Sequence, residues 1–127
     1  MASLSHLSTM LVVEDEAIIA LDIEATLYDA GVGLVVVAGR TEDAHALLSR
    51  HAIEAAVLDL HLGPDQWTYD IARELEARGV PFIFSSGTVE VAEGFEHLPL
   101  VVKPFSTDQL MAALLQVVGT PSTVAAQ

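Results

Sequence analysis

A chain of 127 residues, 52% of them hydrophobic and 18% charged, has room for one domain and enough apolar surface to offset the entropy of ordering it, which excludes wholesale disorder. Eighteen acidic residues against five basic ones leave a formal net charge of −13, which speaks against direct nucleic-acid binding and against an anionic membrane surface, since both need Lys and Arg at phosphates. The absence of cysteine removes disulfides, thiolate metal sites and a cysteine nucleophile; no stretch resembles a signal peptide or reaches the ~18 apolar residues of a membrane span, so a cytoplasmic protein is expected.

Apolar runs and helical patterns alternate along the chain. Met10–Val13 is a short apolar run, followed from Glu16 to about Asp29 by a helical pattern with Ile19, Ile23 and Leu27 on one face. Gly31 and Gly33 close this unit. Leu34–Ala38 is strongly β-prone and reads as a strand buried on both faces, and Thr41 is placed to cap a helix that aligns Ala44, Leu47 and Leu48. Ala55–Leu60 is the third strand. A loop with Gly63, Pro64 and Asp65 leads to a helix from about Thr68, with Ile71, Ala72 and Leu75 inward and a stop at Gly79. Phe82–Ser85 forms the fourth strand, a weak helical stretch follows near Val89–Phe95, and Leu100–Val102 is the fifth. Ser106 and Gln109 have capping-box spacing before a helix whose face carries Leu110, Ala113, Leu114, Val117 and Val118. Five β-α units predict an α/β fold: a doubly wound, five-stranded parallel sheet of order 2-1-3-4-5, flavodoxin-like.

In such sheets a ligand site lies beyond the carboxyl ends of the strands, and those ends carry the informative residues. Strand one ends in Glu14-Asp15-Glu16, strand three in Asp59, strand four in Ser85-Ser86-Gly87 and strand five in Lys103-Pro104. Carboxylates ~4 Å apart repel by ~4 kcal/mol at an effective dielectric of about 20, so acids gathered there must be separated, protonated or bridged by a cation. An all-oxygen cluster with few ligands suits Mg²⁺, which keeps several waters. Acids after strand one are the opposite of a glycine-rich phosphate cradle, and neither G-x-G-x-x-G nor a Walker pattern occurs. Lys103, the only lysine, ends an apolar strand, where its ammonium can reach the carboxylates and neutralise a phosphoryl oxygen. Asp59 is then the best nucleophile available, because phosphoryl transfer depends on positioning and charge neutralisation.

Taken together, Glu14-Asp15, Asp59 within Val57-Leu58-Asp59-Leu60, a hydroxyl after strand four, and Lys103-Pro104-Phe105 resemble the receiver domain of two-component response regulators, over roughly residues 10–118. The resemblance implies Asp59 as phosphoacceptor, Asp15 as a direct Mg²⁺ ligand, and Glu14 as a ligand or a carboxylate acting through water. It further implies the carbonyl of His61 as a ligand, Lys103 as the contact to the phosphoryl group, and Ser86 as the switch hydroxyl, with Ser85 the alternative. Phe84-Ser85-Ser86-Gly87 is similar to the motif of a subgroup whose fourth strand ends in Phe-Ala-Thr-Gly. The chain departs from it in having two serines for Ala-Thr and Val89 for a tyrosine. Leu100, three residues before Lys103, supplies no aromatic switch ring, so backbone rearrangement between Ser86 and Glu96 is expected on phosphorylation. The implied partners are a sensor histidine kinase or phosphotransfer protein and an unknown downstream protein. The chain itself is expected to be no enzyme beyond assisting its own phosphorylation and dephosphorylation. Residues 1–9 are expected as an N-terminal extension and 119–127 as a C-terminal tail. A receiver-like interaction module that is never phosphorylated is the competing reading.

Overall fold

The computed structural model describes residues 3–89 and 93–119. Five parallel strands form one sheet: β1 (Thr9–Val13), β2 (Leu34–Ala38), β3 (Ala55–Asp59), β4 (Phe82–Ser86) and β5 (Leu100–Val102), in the order β2-β1-β3-β4-β5. Four helices are seen among the described residues: α1 (Ala17–Asp29), α2 (Thr41–Arg50), α3 (Tyr69–Ala77) and α4 (Thr107–Val118). The parallel doubly wound sheet expected from the alternating pattern is therefore present, in the expected order.

Side-chain alternation along the strands divides the core into two layers. Leu11, Val13, Ala56, Leu58, Phe82 and Phe84 face α2 and α3, where they meet Ala44, Leu48, Ile71 and Leu75. Met10, Val12, Ala55, Val57, Ile83 and Val101 face α1 and α4 and pack on Ile23, Leu27, Leu110 and Leu114. The N-terminal segment joins this second layer: Leu4 and Leu7 are buried, and the Leu4 N–H donates to the Ala30 carbonyl at 2.8 Å. Gly33 makes that approach possible, because a Cβ there would lie 2.8 Å from the Ser8 carbonyl oxygen.

Three local expectations change. β2 is not buried on both faces: at the sheet edge, where the expected order places it, Leu34 and Val37 are exposed, so its continuous apolar run reports β-propensity rather than full burial. Thr41 does not cap α2. The N-cap is Arg40, without a side-chain cap bond, and the Thr41 hydroxyl donates to Glu42 Oε1 at 3.0 Å instead. The loop after β3 contains a two-residue antiparallel ladder, in which His61–Leu62 pairs with Gln66–Trp67. Gln66 ties it to the start of α2, accepting from the Thr41 N–H at 3.3 Å and donating to Glu42 at 3.1 Å. The helix expected near Val89–Phe95 falls in part on residues 90–92, outside the described residues; Glu93 and Gly94 form a turn and Phe95 is buried. The Ser106–Gln109 capping box forms with both of its hydrogen bonds, at 2.8 and 3.1 Å.

Candidate functional site

The sheet register sets the site. Val13 is level with Leu58, Asp59 with Ser85, and Ser85 with Val101. One residue further along, the ladder is continued by backbone bonds from Glu14 N–H to the Ala38 carbonyl (2.9 Å), Leu60 N–H to Ser85 (2.8 Å) and Lys103 N–H to Ser86 (2.8 Å). By strand alternation Glu14, Asp59 and Lys103 follow Val12, Val57 and Val101, the positions that face α1 and α4. Residues separated by 44 or more positions are thereby delivered to one edge.

Lys103 Nζ lies 2.8 Å from Asp59 Oδ2, 2.8 Å from Glu14 Oε1 and 3.6 Å from Glu16 Oε1. The Glu14 and Asp59 side chains are almost wholly buried, at 1% and 5% exposure, and that of Lys103 is 13% exposed. Asp59 Oδ1 accepts from the His61 N–H at 3.3 Å, and Glu14 Oε2 accepts from the Glu16 N–H at 3.0 Å. The Lys103-Pro104 peptide bond is cis. One oxygen each from Glu14, Asp15 and Asp59 lies within 4.8 Å of the other two. Asp15 is exposed and points its carboxylate to the open side of the cluster, where Gly63 approaches it.

The charges do not balance within this group. Burial pushes the Glu14 carboxyl above its ordinary range, against the pull of the Lys103 ammonium and the Glu16 N–H; the negative charge of Asp59 adds to the rise. Burial also weighs on Lys103, but its hydrogen bonds and charge pairing with Asp59 and Glu14 outweigh it and hold the ammonium above its ordinary value. One ammonium shared between two buried carboxylates, with a third carboxylate alongside, leaves net negative charge. A hard, all-oxygen donor set of this kind fits Mg²⁺.

A cavity of about 380 Å³ opens over the cluster, lined by Asp15, Asp59, His61, Ser86, Thr88 and Lys103 among others. Asp15, Asp59, His61, Ser86 and Lys103 thus meet around one opening, and Glu14 is buried against Lys103. Ser86 lies at its wall, where its Oγ accepts from the Thr88 N–H at 3.2 Å and keeps its own proton to donate. Ser85 is not at the wall. Its Oγ is buried without a hydrogen-bond partner among the described residues. The His61 ring leans on Trp67, with centroids 4.3 Å apart, and Trp67 stacks on Tyr69 at 5.6 Å. A neighbouring, mostly apolar groove of about 540 Å³ shares Glu16, Gly87 and Lys103 with this opening and continues over Ile18, Ile19 and Phe105. Glu16, which lies beside Lys103, and Thr68, which bonds the Asp59 backbone, were not singled out by the motifs. Glu16 is one acid among three in the sequence, and Thr68 has the appearance of an ordinary helix start.

No protein-family model and no curated protein matches the chain; solved structures do. The solution structure of SdrG from Sphingomonas melonis Fr1 is 33% identical and aligns over 87% of this chain and 96% of its own, with a TM-score of 0.73. A response regulator receiver protein from Sinorhizobium medicae WSM419 is 31% identical over 87% of this chain and 93% of its own, with a TM-score of 0.74. The BeF3-activated conformation of SdrG, from Pseudomonas melonis Fr1, is 32% identical over 90% and 96%, with a TM-score of 0.72. The chain belongs to the response regulator receiver family. No helix among the described residues is long and apolar enough to cross a membrane.

Proposed function

We propose that the chain is a phosphoacceptor switch of the cytoplasm. It takes a phosphoryl group from the phosphohistidine of a sensor kinase or phosphotransfer protein onto Asp59, and the change in its surface alters the binding of a downstream protein. The observation that carries this reading is a buried carboxylate held at 2.8 Å by the chain's only lysine, at the floor of an open pocket that two further carboxylates share. A structural ion pair rarely does more than break even against an apolar replacement, so an excess of acid over base there is better explained by use than by stability. SdrG, a receiver of similar sequence, has a BeF3-activated conformation, and beryllofluoride is a stand-in for a phosphoryl group.

In the transfer, a carboxylate oxygen of Asp59 attacks phosphorus, the P–N bond to the donor imidazole breaks, and the nitrogen leaves with that electron pair, the donor ring carrying a proton on its other nitrogen so that it departs as neutral imidazole. The product is an acyl phosphate on Asp59 and a neutral donor histidine. Hydrolysis reverses the loading by attack of water on phosphorus, with the carboxylate leaving; in both directions the chain assists its own reaction and acts on no separate substrate. Mg²⁺, held by Asp15, Asp59, the His61 carbonyl and Glu14 directly or through water, would supply positive charge against the phosphoryl oxygens. Lys103 supplies a further positive charge and must exchange a carboxylate partner for a phosphoryl oxygen to do so. Ser86 donates its hydroxyl proton to another phosphoryl oxygen, which draws the end of β4 and residues 87–89 toward the pocket. The apolar groove over Ile18 and Phe105 is where a donor protein would rest, since it adjoins the pocket at Lys103 and Ile18 is 83% exposed.

The test is incubation with a small phosphodonor and Mg²⁺, followed by intact mass. One added phosphoryl group is expected on the wild type and none on Asp59→Asn. A wild type that gains nothing in metal-replete buffer favours the interaction module that is never phosphorylated, and labelling that survives Asp59→Asn puts the phosphoryl group elsewhere.

A further inference from the structure

Thr68 occupies the N-cap position of α3 and is fully buried. A threonine there ordinarily accepts a hydrogen bond from a free N–H of the first helical turn. Thr68 makes no such bond. Its hydroxyl instead donates back across nine residues to the carbonyl oxygen of Asp59 at 2.8 Å, with the Leu60 carbonyl 3.3 Å away. Its own N–H donates to that Leu60 carbonyl at 3.2 Å.

The consequence lies in the peptide unit that follows Asp59. Its carbonyl end is held by the Thr68 hydroxyl and its N–H end, on Leu60, by the Ser85 carbonyl at 2.8 Å. The unit is therefore clamped from α3 on one side and from β4 on the other. Rotation of this plane would swing the Asp59 backbone against its side chain and would displace the His61 N–H, from which the Asp59 carboxylate accepts. We propose that Thr68 is a positioning residue for phosphoryl acceptance: by clamping the Asp59–Leu60 peptide it fixes the aim of the Asp59 carboxylate. This rests on Asp59 being the phosphoacceptor. The hydroxyl is spent on the acceptor's backbone rather than on the helix it caps, which is the reverse of what helix stability alone would select.

The test compares Thr68→Val, which keeps the shape and removes the donor, with Thr68→Ser, which keeps the donor and removes the methyl. Initial rates of phosphoryl gain from a small phosphodonor with Mg²⁺ are read by intact mass, well below each variant's thermal midpoint. A small misplacement of reacting atoms is costly, so Thr68→Val is expected to load roughly tenfold or more slowly, and Thr68→Ser within about twofold of wild type because the clamp survives. If Thr68→Val does not fold, Thr68→Ala is read in its place. A donor-less variant that loads at the wild-type rate overturns the proposal, and so does a Thr68→Ser as slow as Thr68→Val, which would assign the effect to methyl packing. Loading of the wild type that Asp59→Asn abolishes and Thr68→Val leaves untouched sinks the positioning role alone. No loading of the wild type removes the phosphoacceptor reading, and the positioning role falls with it.

Discussion

At the scale of single residues, the chemistry is concentrated in how one ammonium is shared. Lys103 bridges Glu14 and Asp59 at equal distance, both carboxylates being buried, while Asp15 looks outward. Removing one partner of a buried pair leaves an uncompensated charge, so Lys103→Met is expected to lower stability by about 3 kcal/mol, toward the lower end of such losses because the pocket is open to water. The same loss should make the carboxylates a better place for a divalent cation. Urea unfolding with and without Mg²⁺ checks this: the rise in midpoint on adding Mg²⁺ should be larger in the variant than in wild type. An equal rise would mean that the ion does not meet these carboxylates.

Among elements, α1 does two jobs. Its inner face, Ala20, Ile23 and Leu27, closes the core, while Ile18 and Leu21 remain exposed, Ile18 in the groove that adjoins the pocket. Under the proposed phosphotransfer, a donor protein covers this ground to bring its phosphohistidine to Asp59, whereas a small phosphodonor does not. Ile18→Asp is therefore expected to lower the ratio of protein-donor to small-donor loading rates by about tenfold, the size of a central interface residue's contribution. Parallel loading assays measure that ratio, and an unchanged value would move the docking face elsewhere. The ladder after β3 is the other element of note. It pairs His61 with Trp67, is tied to α2 through Gln66, and brings Thr68 back beneath Asp59. As the chain's only tryptophan, Trp67 gives that ladder its own fluorescence reporter.

For the whole molecule, two apolar layers on opposite faces of the sheet hold the strand ends in register, so the site depends on packing far from it. Phe84 is buried, sits edge-on to Phe82 at 5.6 Å and to Phe95 at 5.7 Å, and lies two residues before Ser86. Phe84→Ala is expected to cost about 3–5 kcal/mol, because the lost ring leaves a cavity that β4 and residues 95–98 cannot fill by relaxing. Chemical denaturation measures this cost directly, and a loss under about 1 kcal/mol would show that the layer repacks freely.

Much of this was legible in the chain itself. Alternating apolar runs and helical faces determine a parallel sheet wrapped on both sides, because hydrophobic periodicity is a local property that each segment carries alone. Glu14, Asp15, Asp59 and Lys103 could be read as a group for a related reason: an acid or a lone lysine at the end of an apolar run has few structural uses. What only the tertiary structure decided are relations across the sheet. How far β2 is covered is one of them: the expected order already puts it at the edge, but only the packed helices leave Leu34 and Val37 exposed, since Leu34–Ala38 has the same propensity whether covered or not. The two serines of Ser85-Ser86 are equivalent in sequence, and only the folded pocket distinguishes them: Ser86 lines it, whereas the Ser85 hydroxyl is buried. Thr68 looks like a helix cap until the fold brings the Asp59 carbonyl within 2.8 Å of its hydroxyl. Local pattern specifies which elements form, but hydrogen-bond partners are chosen by proximity, and proximity between residues distant in the chain exists only once the sheet is assembled.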